Sequence, residues 1–168
     1  MGGTVRAAAG GVSGAKGDVA GNSSYIGGRG WGGGDRPSEL GEEAVLAALV
    51  AIQDAGITDI LDNRIEWSDQ EFVAAHAPDM YYLWNGQDDA GQAMPDQWFF
   101  DGVDFALTAL QDPGAQVLAH CHMGINRGPS MAFAILLAIG MDPGQACNAI
   151  REARPTTAIS EAGDELTS

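Results

Sequence analysis

The sequence predicts one α/β domain, a central and mostly parallel sheet flanked by helices. Stretches with apolar residues at helical spacing alternate with short β-branched or aromatic runs, the trace that crossover-connected strands leave in a chain. The 168 residues are 45% apolar and 18% charged, enough for one core and barely for two. No segment repeats another.

The elements follow in order. Residues 1–22 are Gly, Ala, Ser and a few charges without period, and predict a flexible tail before a domain spanning 23–168. Tyr25 and Ile26 suit a short edge strand. The run GGRGWGGG, 27–34, holds a formal G-x-G-x-x-G at Gly28, Gly30 and Gly33. It lacks the long apolar strand before it and the immediate helix after it, so it reads as a plain glycine loop. A helix is predicted over 37–55, with Leu40, Leu46, Leu49, Val50 and Ile52 as its apolar face and Gly56 as its stop. Residues 57–61 (ITDIL) read as a strand. Ser68 and Glu71 have capping-box spacing before a short helix over 69–76. Residues 80–84 (MYYLW) predict a second strand, whose Tyr81, Tyr82 and Trp84 are expected in the core. Pro95 opens a helix to 110, with Trp98, Phe99, Val103, Ala106, Leu107 and Leu110 facing the core. QVLA, 116–119, is a buried-strand pattern. Pro129 fits the first turn of the helix that follows, and Asp142 caps a last helix reaching 153.

The formal net charge is −15, with one lysine, Lys16, and seven arginines. Such a chain repels nucleic acid and anionic lipid surfaces at long range, so neither is an expected partner. The two cysteines, Cys121 and Cys147, are too few for a disulfide scaffold and suggest a reducing compartment. The glycine-rich start does not resemble a secretory leader, and the longest apolar run, 131–141, is too short to span a bilayer. The expected setting is cytoplasmic.

The strongest chemical signal is a strand, then Cys121, five residues, Arg127, and a helix. A strand ending at Cys121 puts the thiol at the carboxyl edge of the sheet, where open α/β folds bind ligands. His122, Met123, Gly124, Ile125 and Asn126 then lead to a helix N-terminus, and backbone N–H groups in such a turn can converge on an anion. Gly124 frees the turn, and Arg127 supplies a planar fork for two phosphate oxygens. A thiol in this setting is poised as a thiolate nucleophile that can form a phosphocysteine. A leaving oxygen also needs a proton. The loop after MYYLW offers Asp88 and Asp89, and Asp89 stands 32 residues before Cys121.

His120-Cys121-HMGIN-Arg127 resembles the H-C-x5-R signature of the cysteine-dependent protein tyrosine phosphatases, and the flanks resemble their dual-specificity branch. AGITDILDNR is similar to that branch's early strand, YYLWNGQDDAG to its acid loop, and GMDPGQACNAIREARP to its closing helix. The likeness spans about residues 23–159. It implies a protein tyrosine phosphatase-like fold and hydrolysis of phosphomonoesters through a phosphocysteine. Catalysis would fall to Cys121, Arg127 and Asp89, which counting from Tyr82 and Leu83 favours over Asp88. His120 would support the loop electrostatically. Two residues depart from the pattern. Gly128 stands where the family places a Ser or Thr that helps the thiolate leave, so either Ser130 reaches back or breakdown of the phosphocysteine is slower. Asn126 resembles the H-C-x-x-G-x-N-R pattern of the RNA 5'-phosphatase branch, although the Thr-Gly that follows there is missing.

The expected ligands are a phosphorylated protein or small phosphomonoester, with phosphate, sulfate or a similar oxyanion in the loop. Phosphotyrosine is the first substrate class, then phosphoserine and phosphothreonine. RNA 5'-phosphate ends are an alternative that the net charge opposes, and a phosphate-binding pseudophosphatase is another, motivated by Gly128. The loop interior lacks lysine, which argues against a highly phosphorylated inositol lipid. His120 and His122 could share one strand face, but no second cluster offers ligands at zinc spacing, so neither metal nor cofactor is expected. Cys147 reads as core.

Overall fold

A computed structural model of the chain describes residues 4–5, 42–66, 68–121 and 125–153. Its elements are β1 (Thr4–Val5), α1 (Glu42–Asp54), β2 (Asp59–Arg64), α2 (Gln70–His76), β3 (Tyr81–Gln87), α3 (Asp96–Ala109), β4 (Gln116–His120), α4 (Arg127–Ala138) and α5 (Pro143–Ala153). The expected strand at Tyr25 and Ile26, the glycine loop and residues 37–41 lie outside the described residues. Thr4–Val5, inside the segment expected to be a tail, pairs with Gln116 and Val117 as a two-residue edge strand.

The strands form one sheet in the order β1-β4-β2-β3, and every pairing among the described residues is parallel. The carboxyl ends of β2, β3 and β4 therefore emerge along one edge. Alternation along the strands splits the core in two. Leu61, Val117 and Ala119 face α3, α4 and α5, among Trp98, Phe99, Met131, Phe133, Ile135 and Ile150. Ile60 and Leu118 face the other way, toward Val45, Leu49 and Ile52 of α1 and Val73 of α2. Cys147 packs at the margin of the first cluster. Among the described residues, no helix is long and apolar enough to cross a membrane.

Several expectations shift. The buried stripe of α1 is Val45, Leu49 and Ile52, at i, i+4 and i+7, which turns Leu46 and Val50 outward. Leu107 of α3 is also exposed, one position past buried Ala106. β3 is an edge strand, so Tyr81 and Trp84 stand exposed while Tyr82 packs against the α1–α2 side. The Ser68–Glu71 capping box does not form. Ser68 Oγ accepts the N–H of Gln70 at 3.2 Å, and Asp69, which takes the cap position, makes no side-chain cap. Its carboxylate is drawn inward by Arg64 instead.

That arginine anchors a buried polar cluster behind the strand ends. Arg64 grips Asp62 with two bonds, Nε to Oδ1 (2.8 Å) and Nη2 to Oδ2 (2.7 Å), and also bonds Asp69. The Tyr82 hydroxyl donates to Asp62 and accepts the N–H of Asp69. One guanidinium serves two carboxylates in a dry setting, and burial pushes Asp69 up to about 7 against the pull of Arg64. His120 Nε2 stands 3.6 Å from Asp62 Oδ1, and burial pushes this imidazole down to about 4.

Those two groups titrate with opposite signs. His120 is depressed, so its contribution is complete above the unfolded value near 6.5 and is lost as pH falls toward 4. Asp69 is raised, so its contribution is lost as pH rises toward 7. Comparing His120→Gln with wild type isolates the histidine. Urea unfolding should show the wild type losing about 2 kcal/mol relative to the variant between about pH 7.5 and about pH 5. Parallel curves would mean that the fold leaves the His120 imidazole at its unfolded value.

Candidate active site

Cys121 follows the last residue of β4 and is buried. The first turn of α4 packs directly on it: a Cβ at Gly128 would stand 3.3 Å from the Cys121 N and 3.4 Å from its Sγ. Glycine at this position lets the helix N-terminus close onto the thiol. Ile125 and Asn126 precede the helix, Ile125 exposed and Asn126 half-buried. His122, Met123 and Gly124, expected to bind substrate, lie outside the described residues.

Arg127 opens α4 and is buried. Its guanidinium has three edges to satisfy. The outer edge is taken by Glu66, which accepts from Nη1 (2.9 Å) and Nη2 (2.8 Å). Nη1 also donates to the Gln87 carbonyl at 2.8 Å and, more weakly, to that of Asn63 at 3.5 Å. Among the described residues, Nε is buried without a hydrogen-bond partner, and Asp89 Oδ2 stands 3.7 Å from it. The Nε side of the fork is thus the edge that the described residues leave without a hydrogen bond. Burial would lower this arginine, but its bonds to Glu66 and the charges of Cys121, Glu66 and Asp89 raise it, so it stays cationic.

The partners of Arg127 come from the ends of β2 and β3, and a bulge brings them there. β3 pairs in register from Tyr81 to Trp84, then shifts so that Arg64 faces Gln87. The extra residue kinks the strand and aims its end across the site. Gly86 is what the kink requires, because a Cβ there would stand 2.7 Å from the Arg64 carbonyl. Asn85 and Trp98 pin the bulge to α3, each side chain bonding the other's carbonyl at 2.9 and 2.8 Å. Asn63 Nδ2 donates to the His120 carbonyl at 3.1 Å and fastens the end of β2 to the end of β4.

The two acid candidates part company here. Asp88 Oδ1 accepts the N–H of Asp89 at 2.8 Å and so serves its own loop. Asp89 turns toward the site, with Oδ1 accepting from Asn126 Nδ2 at 2.8 Å and Oδ2 on the Arg127 side. Ser130 Oγ donates to Asn126 Oδ1 at 3.2 Å. Cys121, Arg127, Asp89, Asn126, Ser130 and His120 are therefore gathered at one sheet edge. Glu66 escaped sequence reasoning, since no motif marks it. The available signal was its place as the first carboxylate past the end of β2.

No protein-family model matches the sequence. Solved structures do resemble the chain. A mouse dual-specificity phosphatase complexed with zinc tungstate is 19% identical, with a TM-score of 0.59 over 72% of this chain and 73% of that one. Human DUSP28 is 18% identical, with a TM-score of 0.57 over 69% and 78%. PTPMT1 in complex with PI(5)P is 22% identical, with a TM-score of 0.56 over 68% and 76%. The chain has the fold of the dual-specificity branch of the protein tyrosine phosphatases.

If Glu66 orients the Arg127 fork, Glu66→Ala should weaken tungstate binding about tenfold, measured by protection of Cys121 from alkylation. Unchanged affinity would mean that the strand-end carbonyls suffice. Tighter binding would make Glu66 a competitor for the anion's place.

Proposed function

We propose that this chain is a cysteine-dependent phosphatase acting on phosphate monoesters. The observation that carries this reading is the open Nε edge of a buried, cationic Arg127 beside Cys121 and the first turn of α4. A buried cationic N–H that the described residues leave unpaired is preorganised for an oxyanion. Likeness in fold to a tungstate-complexed phosphatase supports the same reading.

In the first step Cys121 Sγ attacks phosphorus. The S–P bond forms, the P–O bond breaks, and the Asp89 carboxyl passes its proton to the leaving oxygen. In the second step water attacks the phosphocysteine. Its proton returns to Asp89, inorganic phosphate leaves and the thiolate is restored. Arg127 and the α4 N-terminus hold the charge on the transferring group through both steps.

Phosphotyrosine in proteins is the leading substrate class, followed by phosphoserine and phosphothreonine. The carboxylates around the site, Glu66, Asp88 and Asp89, oppose a polyanion such as RNA or a multiply phosphorylated lipid headgroup. Asn126, which resembles the RNA 5'-phosphatase pattern, is engaged here with Asp89 and Ser130.

A second reading, a phosphate-trapping protein, rests on Gly128. Its missing side chain would have lain against Cys121 Sγ, where a hydroxyl could stabilise the departing thiolate.

The first test is phosphate release from 4-nitrophenyl phosphate. Sustained turnover is expected, abolished in Cys121→Ser. No release from the wild type would overturn the proposal.

Gly128→Ser tests the slow step. Its Cβ needs neighbours to give only by tenths of an ångström. The variant should shrink the burst of 4-nitrophenol relative to the steady rate and raise turnover about tenfold. A burst without turnover in the wild type, relieved in Gly128→Ser, would establish trapping. An unchanged steady rate would show that breakdown does not need that hydroxyl.

A further inference from the structure

The Asp89 loop is exposed, and its hydrogen bonds are mostly its own. Asp88 Oδ1 accepts the Asp89 N–H, Gln92 Nε2 donates to the Asp88 carbonyl, and Gln92 Oε1 accepts the Ala90 N–H. These bonds shape the loop without fixing it over Cys121. The link across to α4 runs through Asn126, which sits at the N-cap of that helix, beside Arg127.

Asn126 is held by the helix it precedes. Its carbonyl accepts the Ser130 N–H at 2.8 Å, and its side-chain Oδ1 accepts from Ser130 Oγ at 3.2 Å. The hydroxyl leaves the amide one useful orientation, with Nδ2 turned to Asp89. That N–H requires a lone pair on Asp89 Oδ1, 2.8 Å away. Oδ2 is the other oxygen, and at 3.7 Å the Arg127 Nε is beyond hydrogen-bond range of it.

Resting on the assignment of Asp89 as the acid, we propose that Asn126 is its positioning residue, held by Ser130 and fixing the carboxyl so that Oδ2 carries the proton to the leaving oxygen. A carboxyl group has two oxygens and one proton, and proton transfer requires the donor oxygen within about 3 Å of its target. The Nδ2–H bond occupies Oδ1 and leaves Oδ2 for the proton, on the side where Arg127 would hold the phosphoryl group. The Ser130 hydroxyl is thereby engaged with the acid machinery.

A positioning role through the acid has a signature that general damage to the loop lacks. Protonation matters for a poor leaving group and little for a good one. The experiment compares kcat/KM for phenyl phosphate and for 4-nitrophenyl phosphate in the wild type, Asn126→Ala, Asp89→Asn and the double variant. Tungstate inhibition reports the state of the anion site. Asp89→Asn should lose at least about a hundredfold on phenyl phosphate. For Asn126→Ala, the loss on phenyl phosphate should exceed that on the activated ester by about tenfold, with tungstate inhibition retained. The double variant should be no worse than Asp89→Asn alone. Equal losses of Asn126→Ala on both esters, or additive losses in the double variant, would overturn the role of Asn126 while leaving the acid in place. If Asp89→Asn shows no dependence on the leaving group, the acid assignment itself falls, and this role falls with it.

Discussion

A guanidinium taken out of water must be met on nearly every edge, and Arg127 imposes that demand on the whole carboxyl end of the sheet. Glu66 comes from beyond β2, the Gln87 carbonyl from the end of β3, the Asn63 carbonyl from within β2, and Asp89 from the loop after β3. These groups share no sequence neighbourhood. They meet because the strands are parallel and end together, and because the helix that carries Arg127 starts where β4 stops. The bulge at Gly86 follows from the same demand: an in-register β3 would end elsewhere and leave its last carbonyl pointing along the ladder. Among the described residues, the edge that the fold leaves without a hydrogen bond is the Nε side, where Asp89 Oδ2 stands 3.7 Å away.

Behind that site lies a second buried arginine, Arg64, with a complementary task. It ties Asp62 to Asp69 and, through the Tyr82 hydroxyl, joins the end of β2 to β3 and the start of α2. Removing one partner of such a cluster would leave a charge stranded in the core, typically at a cost of about 3–5 kcal/mol. The cluster therefore contributes rigidity of placement more than net stability. His120 stands between this cluster and the thiol. Kept neutral by burial, it adds no positive charge beside Cys121 at neutral pH, so the positive field at the thiol comes from Arg127 and from the dipole of α4.

Much of this was legible in the sequence, for identifiable reasons. The alternation of helical and strand-like runs fixed the order of α1 to α5, because period is a local property of side-chain placement. Strand ends were harder. β2 runs on to Arg64 and β3 to Gln87, since Asp62, Asn63 and Arg64 are polar residues buried in pairs, and a pattern of apolar residues cannot register them. Hydrophobicity alone points Tyr81, Trp84, Leu46, Val50 and Leu107 to the core, and the structure exposes all five. Whether an apolar side chain is covered depends on which strand lies at the edge and which face each helix turns inward, and both are set by tertiary neighbours. Cys121, Arg127 and Asp89 could be singled out by spacing. Glu66 could not, because its partner lies 61 residues away and its one local sign, being the first carboxylate past β2, depends on knowing where that strand ends.

Gly128 draws these threads together. A helix N-terminus polarises a thiol most strongly at contact distance, and glycine allows the first turn of α4 to approach Cys121 to that distance. The same absence of a side chain leaves position 128, whose Cβ would stand 3.4 Å from the Cys121 Sγ, without a hydroxyl. Under the proposed mechanism, close approach would favour forming the phosphocysteine, whereas a hydroxyl at position 128 would favour its breakdown. Ser130 Oγ donates to Asn126 Oδ1, and Asn126 Nδ2 donates in turn to Asp89. Under the proposed mechanism, one turn of α4 would divide its groups between the steps: Gly128 and Arg127 toward capture of the phosphoryl group, and Asn126, held by Ser130, toward the transfer of the proton.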